Sequence, residues 1–380
     1  MKAALYQYKG SGLTRHSDSD NINENEAQLL LCFGAKNLLQ DATVFDIARQ
    51  KFPGAAIAMC STSGEIYNTE VSDNTVSMAA IQFANTRIET GSVKIEDFAN
   101  SYDAGAGLIG KFNPDGLTYL LVLSDGGKVN GSELVRGLNN AAGNSLLITG
   151  GLAGDGSNFH STLVGLNNAP VSGLIVGIGF YGANIHINHG SQGGWEMFGL
   201  EKTVTRSLSN VLYEIDNKNA LELYKKYLGN EAESLPGSAL LFPLAVVLPD
   251  TGEQVVRTIL SINEAEGSMT FAGDIPQGAQ VRFMKANFDK ITSAASAAAL
   301  QSLEGDSLQP RIALLISCVG RKLILQSRTD EEVEAVDEIF KHKTLLTGFY
   351  SYGEISPLVK GNHCQLHNQT LTITSFYETE

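Results

Sequence analysis

Apolar residues in this chain fall into short, strand-length runs separated by helix-spaced and polar stretches, and one order of elements recurs. Near the start, Gln28-Leu29-Leu30-Leu31-Cys32-Phe33-Gly34 reads as a strand. Residues 43–51 then place Val44, Ile47 and Ala48 at helical spacing. A second strand over 55–59 runs into Cys60-Ser61-Thr62-Ser63-Gly64-Glu65-Ile66, and after a polar connection comes the alternating strand 76–83.

The same order returns near the end. A strand over 313–317 leads to Cys318-Val319-Gly320-Arg321, and a helix over 331–340 carries Val333, Val336, Ile339 and Phe340 on one face. Thr329 and Glu332 are expected to form its capping box. The strand 344–346 feeds Gly348-Phe349-Tyr350-Ser351-Tyr352-Gly353-Glu354-Ile355, and an alternating strand over 370–376 closes the unit. Cys-x-Gly, helix, strand and Gly-Glu-Ile therefore occur twice in one order. A weaker third copy lies between: a strand over 119–123, a helix capped by Ser132 with Leu134, Val135 and Leu138, and a strand over 145–148. That strand enters Gly150-Gly151-Leu152-Ala153-Gly154-Asp155, where Gly-Asp stands for Gly-Glu, and the apolar strand 172–180 follows.

The connecting regions are less regular. Strands and turns are expected over 195–213 and a helix over 219–228 with Gly229 at its end. The polar run 231–236 reads as a linker, 274–278 as a turn, and 293–300 as an alanine-rich helix suited to close packing on a sheet. The fold class that follows is α/β: mixed sheets flanked by helices, in internally duplicated units of strand, helix, strand, Gly-acid turn and strand. A division near 214–236 would give an N-terminal segment 1–26 and two domains, 27–213 and 214–380.

Composition narrows the function classes. The chain has 380 residues, 43% hydrophobic, enough to fill two ordinary cores, and 39 glycines suit tight turns. A net charge of −14 repels phosphate backbones and anionic lipid, so neither nucleic-acid nor membrane partners are expected. The start lacks the apolar region of a secretory signal, and no run is long enough to span a membrane. Four scattered cysteines, none in CxxC spacing, suggest reduced thiols and a cytoplasmic location.

Jointly these motifs resemble the FIST family, over most of the chain from about residue 27 to 376. The likeness to the FIST N domain rests on the Cys60–Ile66 and Gly150–Asp155 motifs above, with Gly194-Trp195, Thr203-Val204-Thr205, Tyr213-Glu214-Ile215-Asp216 and Ala220. The likeness to the C domain rests on Cys318-Val319-Gly320-Arg321, residues 348–355, and His367-Asn368-Gln369-Thr370. The resemblance implies a sensory signal-input module that binds a small ligand, such as an amino acid. With no residues left for an output domain, it would act through a separate signalling protein such as a histidine kinase. A branch of the family that senses nitric oxide through haem supplies an alternative.

Candidate site residues are read from the turns. Glycine at a strand end permits a sharp reversal that aims the next carboxylate, Glu65, Asp155 or Glu354, into a cleft at related strand ends, and Ser63 is counted with them as a candidate ligand contact. The bland reading is that each carboxylate only ties its own turn. Arg321 would hold a ligand carboxylate through its planar fork, or else pair with an acid and brace the fold. The first unit has Ala35-Lys36 at the corresponding place, which favours the C-terminal copy. Tyr350 and Tyr352 share a strand face and would wall a pocket or pack at a core edge; Trp195 reads as core. His363, Cys364 and His367 cluster without the companion ligands that zinc needs. His160, His186, His189, His363 and His367 are candidate axial ligands if non-covalent haem binds. Cys318 opens a thiol-enzyme reading, against which stands the usual inertness of a buried strand cysteine. Ser61 and Ser63 lack the G-x-S-x-G elbow, and the glycines at 150–156 lack the Gly-Lys-Ser/Thr of a phosphate loop. The expectation is a non-enzymatic receptor in which Arg321, Tyr352 and Glu354, with Cys318 and Asn368 nearby, hold a zwitterionic or carboxylated ligand.

Overall fold

The structure is a computed structural model, which describes residues 1–379 except 144, 145, 236, 306, 307, 360 and 362. Three six-stranded sheets repeat one plan. In unit 1 the plan is an outer strand Lys2–Tyr8, a first central strand Leu29–Gly34, a helix Thr43–Lys51, a second central strand Ala56–Ser61 and a closing strand Val76–Gln82. Unit 2 has Arg87–Lys94, Leu117–Ser124, the helix Gly131–Ala142, Leu147–Leu152 and Leu174–Tyr181 in the same roles. Unit 3 has Ile185–Gln192, Ile312–Cys318, the helix Thr329–Ile339, Leu345–Ser351 and Leu371–Glu378. The central pair is parallel each time, joined by its helix, and the closing strand runs antiparallel to the first central strand. Corresponding backbone bonds fix the equivalence: Ala35 N to Thr75 O, Asp125 N to Leu174 O and Cys318 N to Thr370 O are each 3.0 Å.

The strand that follows each acid turn leaves its own sheet. Glu65–Tyr67 of unit 1 pairs with the second central strand of unit 3, Val164–Leu166 of unit 2 with that of unit 1, and Gly353–Ser356 of unit 3 with that of unit 2. The three units thus interlock in a ring by cyclic strand exchange, and every acid turn is carried over the strand ends of its neighbour.

The continuous apolar runs follow from burial of both sheet faces. Leu29, Leu31 and Phe33 point into a core shared by all three units, with Leu121, Leu123, Leu314 and Phe349. Leu30 and Cys32 point the other way, onto Val44, Ala48 and Phe52 of unit 1. Phe33 stacks on Phe349 across units, ring centroids 4.9 Å apart. Between the outer strand and the rest of unit 3 lies a mainly β insertion, an eight-stranded sheet from Glu196–Leu208 to Gln280–Lys285, with the helix Ala220–Leu228 and its own core. The sequence division near residue 214 falls in its strand Val211–Ile215.

Several local expectations shift. The Cys-x-Gly pairing of the two outer copies is out of register, because Cys32 lies inside its strand whereas Cys318 ends its own and matches Ala35. The capping box does not form: the helix start at Arg328 has no side-chain cap, and Glu332 turns to Arg321 instead. Lys2–Tyr8, in the segment expected to precede the fold, is the outer strand of unit 1. In the run expected as a linker, residues 229–234 form a 3-10 turn; its end at Pro236, and Ser145 at the start of the unit 2 strand, lie outside the described residues.

Candidate functional site

Two acid turns use one device. Glu65 accepts from Thr62 Oγ1 at 2.5 Å and from the Thr75 hydroxyl and N–H at 2.9 and 3.1 Å. Glu354 accepts from Ser351 Oγ at 2.6 Å and from the Thr370 hydroxyl and N–H at 2.9 and 3.2 Å. Each carboxylate therefore ties a hydroxyl three residues earlier to the residue just before the closing strand. Burial pushes Glu65 up to about 7 and Glu354 up to about 8, against hydrogen bonds that pull them down. Unit 2 departs from the plan. There Asp125, not Asp155, binds the start of the closing strand, accepting from Gly173 N at 2.8 Å.

Asp155 is thereby released for a contact between units. Strand exchange sets the turn of unit 2 over the end of the unit 1 central strand, where Lys36 Nζ meets Asp155 Oδ2 at 3.0 Å. This half-buried pair stands in a cleft of about 810 Å³, lined also by Ser63, Glu65, Asp73 and His160. Similar junctions form twice more. At the unit 3 to unit 1 junction, Lys322 Nζ donates to Ser63 O at 2.9 Å and pairs with Asp73 beside a cleft of about 390 Å³. At the unit 2 to unit 3 junction, Lys128 and Tyr352 line a cleft of about 340 Å³ that the insertion closes with Phe271 and Asp274.

Of the residues singled out from sequence, Ser63, Glu65 and Asp155 converge in the first cleft. Among the described residues no hydrogen bond or ion pair joins Arg321, Tyr352 and Glu354, and Arg321 acts on Glu354 only at longer range. Arg321 is fully buried; its Nε donates to Glu332 Oε1 at 2.6 Å, and its other nitrogens reach Glu332 and the carbonyls of Gly193 and Ile291. Glu332 also accepts from Ser317 Oγ at 3.0 Å and Tyr350 OH at 2.9 Å, closing a buried polar knot. Tyr352 stacks on Phe159 with centroids 4.6 Å apart and accepts its N–H at the cleft of unit 2. Tyr350 and Tyr352 pack in different apolar clusters. Cys318 is buried and burial pushes its thiol up. Asn368 is buried, and neither of its amide atoms has a hydrogen-bond partner among the described residues. Trp195 Nε1 donates to Gln369 O at 2.8 Å.

Lys36 and Asp73 carry the first cleft, and sequence reasoning did not choose them. Lys36 had a signal, as the cation that follows the unit 1 strand; its partner lies 119 residues away and only the exchanged strand brings it near. Three of the five candidate histidines do not suit haem. His160 lines the polar first cleft, His367 is buried with Nε2 on Ser356 O at 2.9 Å, and His186 stacks on Tyr377. Haem needs an apolar slot, and the carboxylates and Lys36 around His160 offer none. Among the described residues no group of three or more His, Cys, Asp or Glu could hold a metal, and no helix is long and apolar enough to cross a membrane.

Comparison with known proteins gives two family matches, a FIST N domain over residues 28–218 and a FIST C domain over 220–357. No curated protein matches the chain. Among solved structures it is similar to cyanuric acid hydrolase from A. caulinodans, with 9% identity, TM-score 0.38 and coverage of 100% of this chain and 99% of that one. A second cyanuric acid hydrolase structure, described as innovation by structural concatenation, aligns with 8% identity, TM-score 0.31 and the same coverage. At such scores neither likeness carries weight. The two domain matches join end to end along the ring of units, and the chain belongs to the FIST family.

Proposed function

We propose that this chain is a non-enzymatic signal-input receptor for a small polar ligand carrying both ammonium and carboxylate groups, bound in the cleft between units 1 and 2. FIST domains are sensory domains of small-ligand-binding type, and this chain carries both of them. The observation that carries the reading is the Lys36–Asp155 pair, an opposite-charge couple held by two different units in the cleft wall. A ligand carboxylate would replace Asp155 on Lys36, and the ligand ammonium would take the freed Asp155 or Asp73. That exchange breaks a contact between units, so binding would alter how the unit 2 turn sits on unit 1. A separate cytoplasmic partner, such as a histidine kinase, would read the change.

A calorimetric screen of amino acids, which carry both charges, against the full chain tests this. The expected result is a saturable hit that Lys36→Gln abolishes without lowering the unfolding temperature. A hit that Lys36→Gln leaves unchanged, or no hit at all, refutes the assignment of this cleft.

A further inference from the structure

Arg257 ends the insertion strand Gln254–Arg257 and is only 2% exposed. Its Nε donates to Asp274 O at 3.1 Å, and one terminal nitrogen donates to Leu366 O at 2.8 Å and Val256 O at 3.3 Å. All three acceptors are backbone carbonyls. Among the described residues no carboxylate lies within ion-pair distance of the guanidinium. Asp274 acts on it at longer range, and its carboxylate is engaged by Asn130 Nδ2 at 3.1 Å. Burial accordingly pulls Arg257 down to about 10. The contrast with Arg321 is plain: that equally buried guanidinium has its own carboxylate in Glu332. Burying a charge without a counter-ion is costly unless something supplies the opposite charge.

The guanidinium lines a cavity of about 120 Å³. A second arginine, Arg136, stands on its wall from the helix Gly131–Ala142, with Ser132, Thr251 and Gln365 as neutral polar neighbours. Arg136 is exposed, and its one ion pair among the described residues, to Glu133, is long at 3.9 Å. The acids on the wall are Asp250, which is exposed, and Asp274, turned as described. We propose that this cavity is an anion site, taking a small molecule that ends in a carboxylate or phosphate group between Arg257 and Arg136. The volume suits the acid group and a few further atoms. The remaining terminal nitrogen of Arg257, which has no hydrogen-bond partner among the described residues, would donate to either group, and the exposed Arg136 would meet it from the solvent side. The site joins the unit 2 helix, the insertion and residues 365–366 of unit 3, so occupancy would fasten the insertion to the ring.

Isothermal titration of the full chain with inorganic phosphate, and separately with acetate, at constant ionic strength tests the proposal. One of them is expected to bind saturably, and which one names the group the site takes. Arg136→Gln should weaken that binding tenfold or more with the anion-free unfolding midpoint unchanged. Arg257→Lys, which keeps charge but loses the planar fork, should weaken it too; if that variant does not fold, Arg136→Gln decides alone. Lys36→Gln should leave anion binding unchanged, which separates this site from the cleft between units 1 and 2. No saturable heat with either anion beyond a chloride control, or equal affinity in Arg136→Gln, overturns the proposal.

Discussion

Replacing Glu354 by Gln should remove a pH dependence of stability that the wild-type chain shows between pH 7 and 8. In the folded protein burial holds this carboxyl at about 8, against an ordinary value of 4.5. The native state then binds more protons than the unfolded state throughout the window between those values, so stability falls as pH rises through it. The upper end of the window is the informative part. Glu65, held at about 7, has given most of its effect by then. Buried His367, pulled down to about 4, acts oppositely, and its contribution is complete above its ordinary 6.5. From pH 7 to 8 the remaining loss is about 1 kcal/mol from Glu354. The amide keeps the local bonds, its oxygen accepting from Thr370 and its nitrogen facing Ser351 Oγ, which can accept. Urea unfolding of both proteins in half-unit steps should therefore show the stability difference moving by about 1 kcal/mol in favour of Glu354→Gln across that unit of pH. A constant difference across the window refutes the reasoning.

Further outcomes follow from buried groups. Arg321→Met strands the Glu332 carboxylate and should cost about 3–5 kcal/mol in denaturant unfolding, with part restored in the double variant Arg321→Met/Glu332→Gln. In the native protein none of Cys32, Cys60, Cys318 and Cys364 should react with a thiol reagent, and all four should react once unfolded; rapid native labelling of Cys318 would revive the thiol-enzyme reading. Gly150→Ala should cost roughly 3 kcal/mol or more by thermal unfolding, because the new Cβ would sit 1.9 Å from the carbonyl oxygen of Val122 on the paired strand.

The repeat was legible in the chain because period-2 and period-3.6 patterns are local. Strand, helix, strand and acid turn need only neighbouring residues to declare themselves, and the runs at 28–34 and 313–317 read as strands, which the fold buries on both faces. The Gly-acid turns could be read too, but not the hydroxyls three residues before each carboxylate, Thr62 and Ser351, which the sequence reading passed over. What such a pattern cannot carry is the sheet a strand joins. Glu65–Tyr67, Val164–Leu166 and Gly353–Ser356 look like continuations of their own units, yet each hydrogen-bonds to another. Exchange costs no backbone bond and leaves the local sequence unchanged, so no short-range signal marks it.

That single tertiary decision also governs the candidate sites. The composition and motif order of this chain determined its α/β class, its repeated units and its family. Only the folded ring decided that Asp155 meets Lys36 and that Lys322 meets Asp73, and only the packing within unit 3 that Arg321 meets Glu332 in the interior. The physical reason is range. Hydrophobic period and turn chemistry act over a few residues, whereas charge pairing and burial depend on which distant surfaces the shared core draws together.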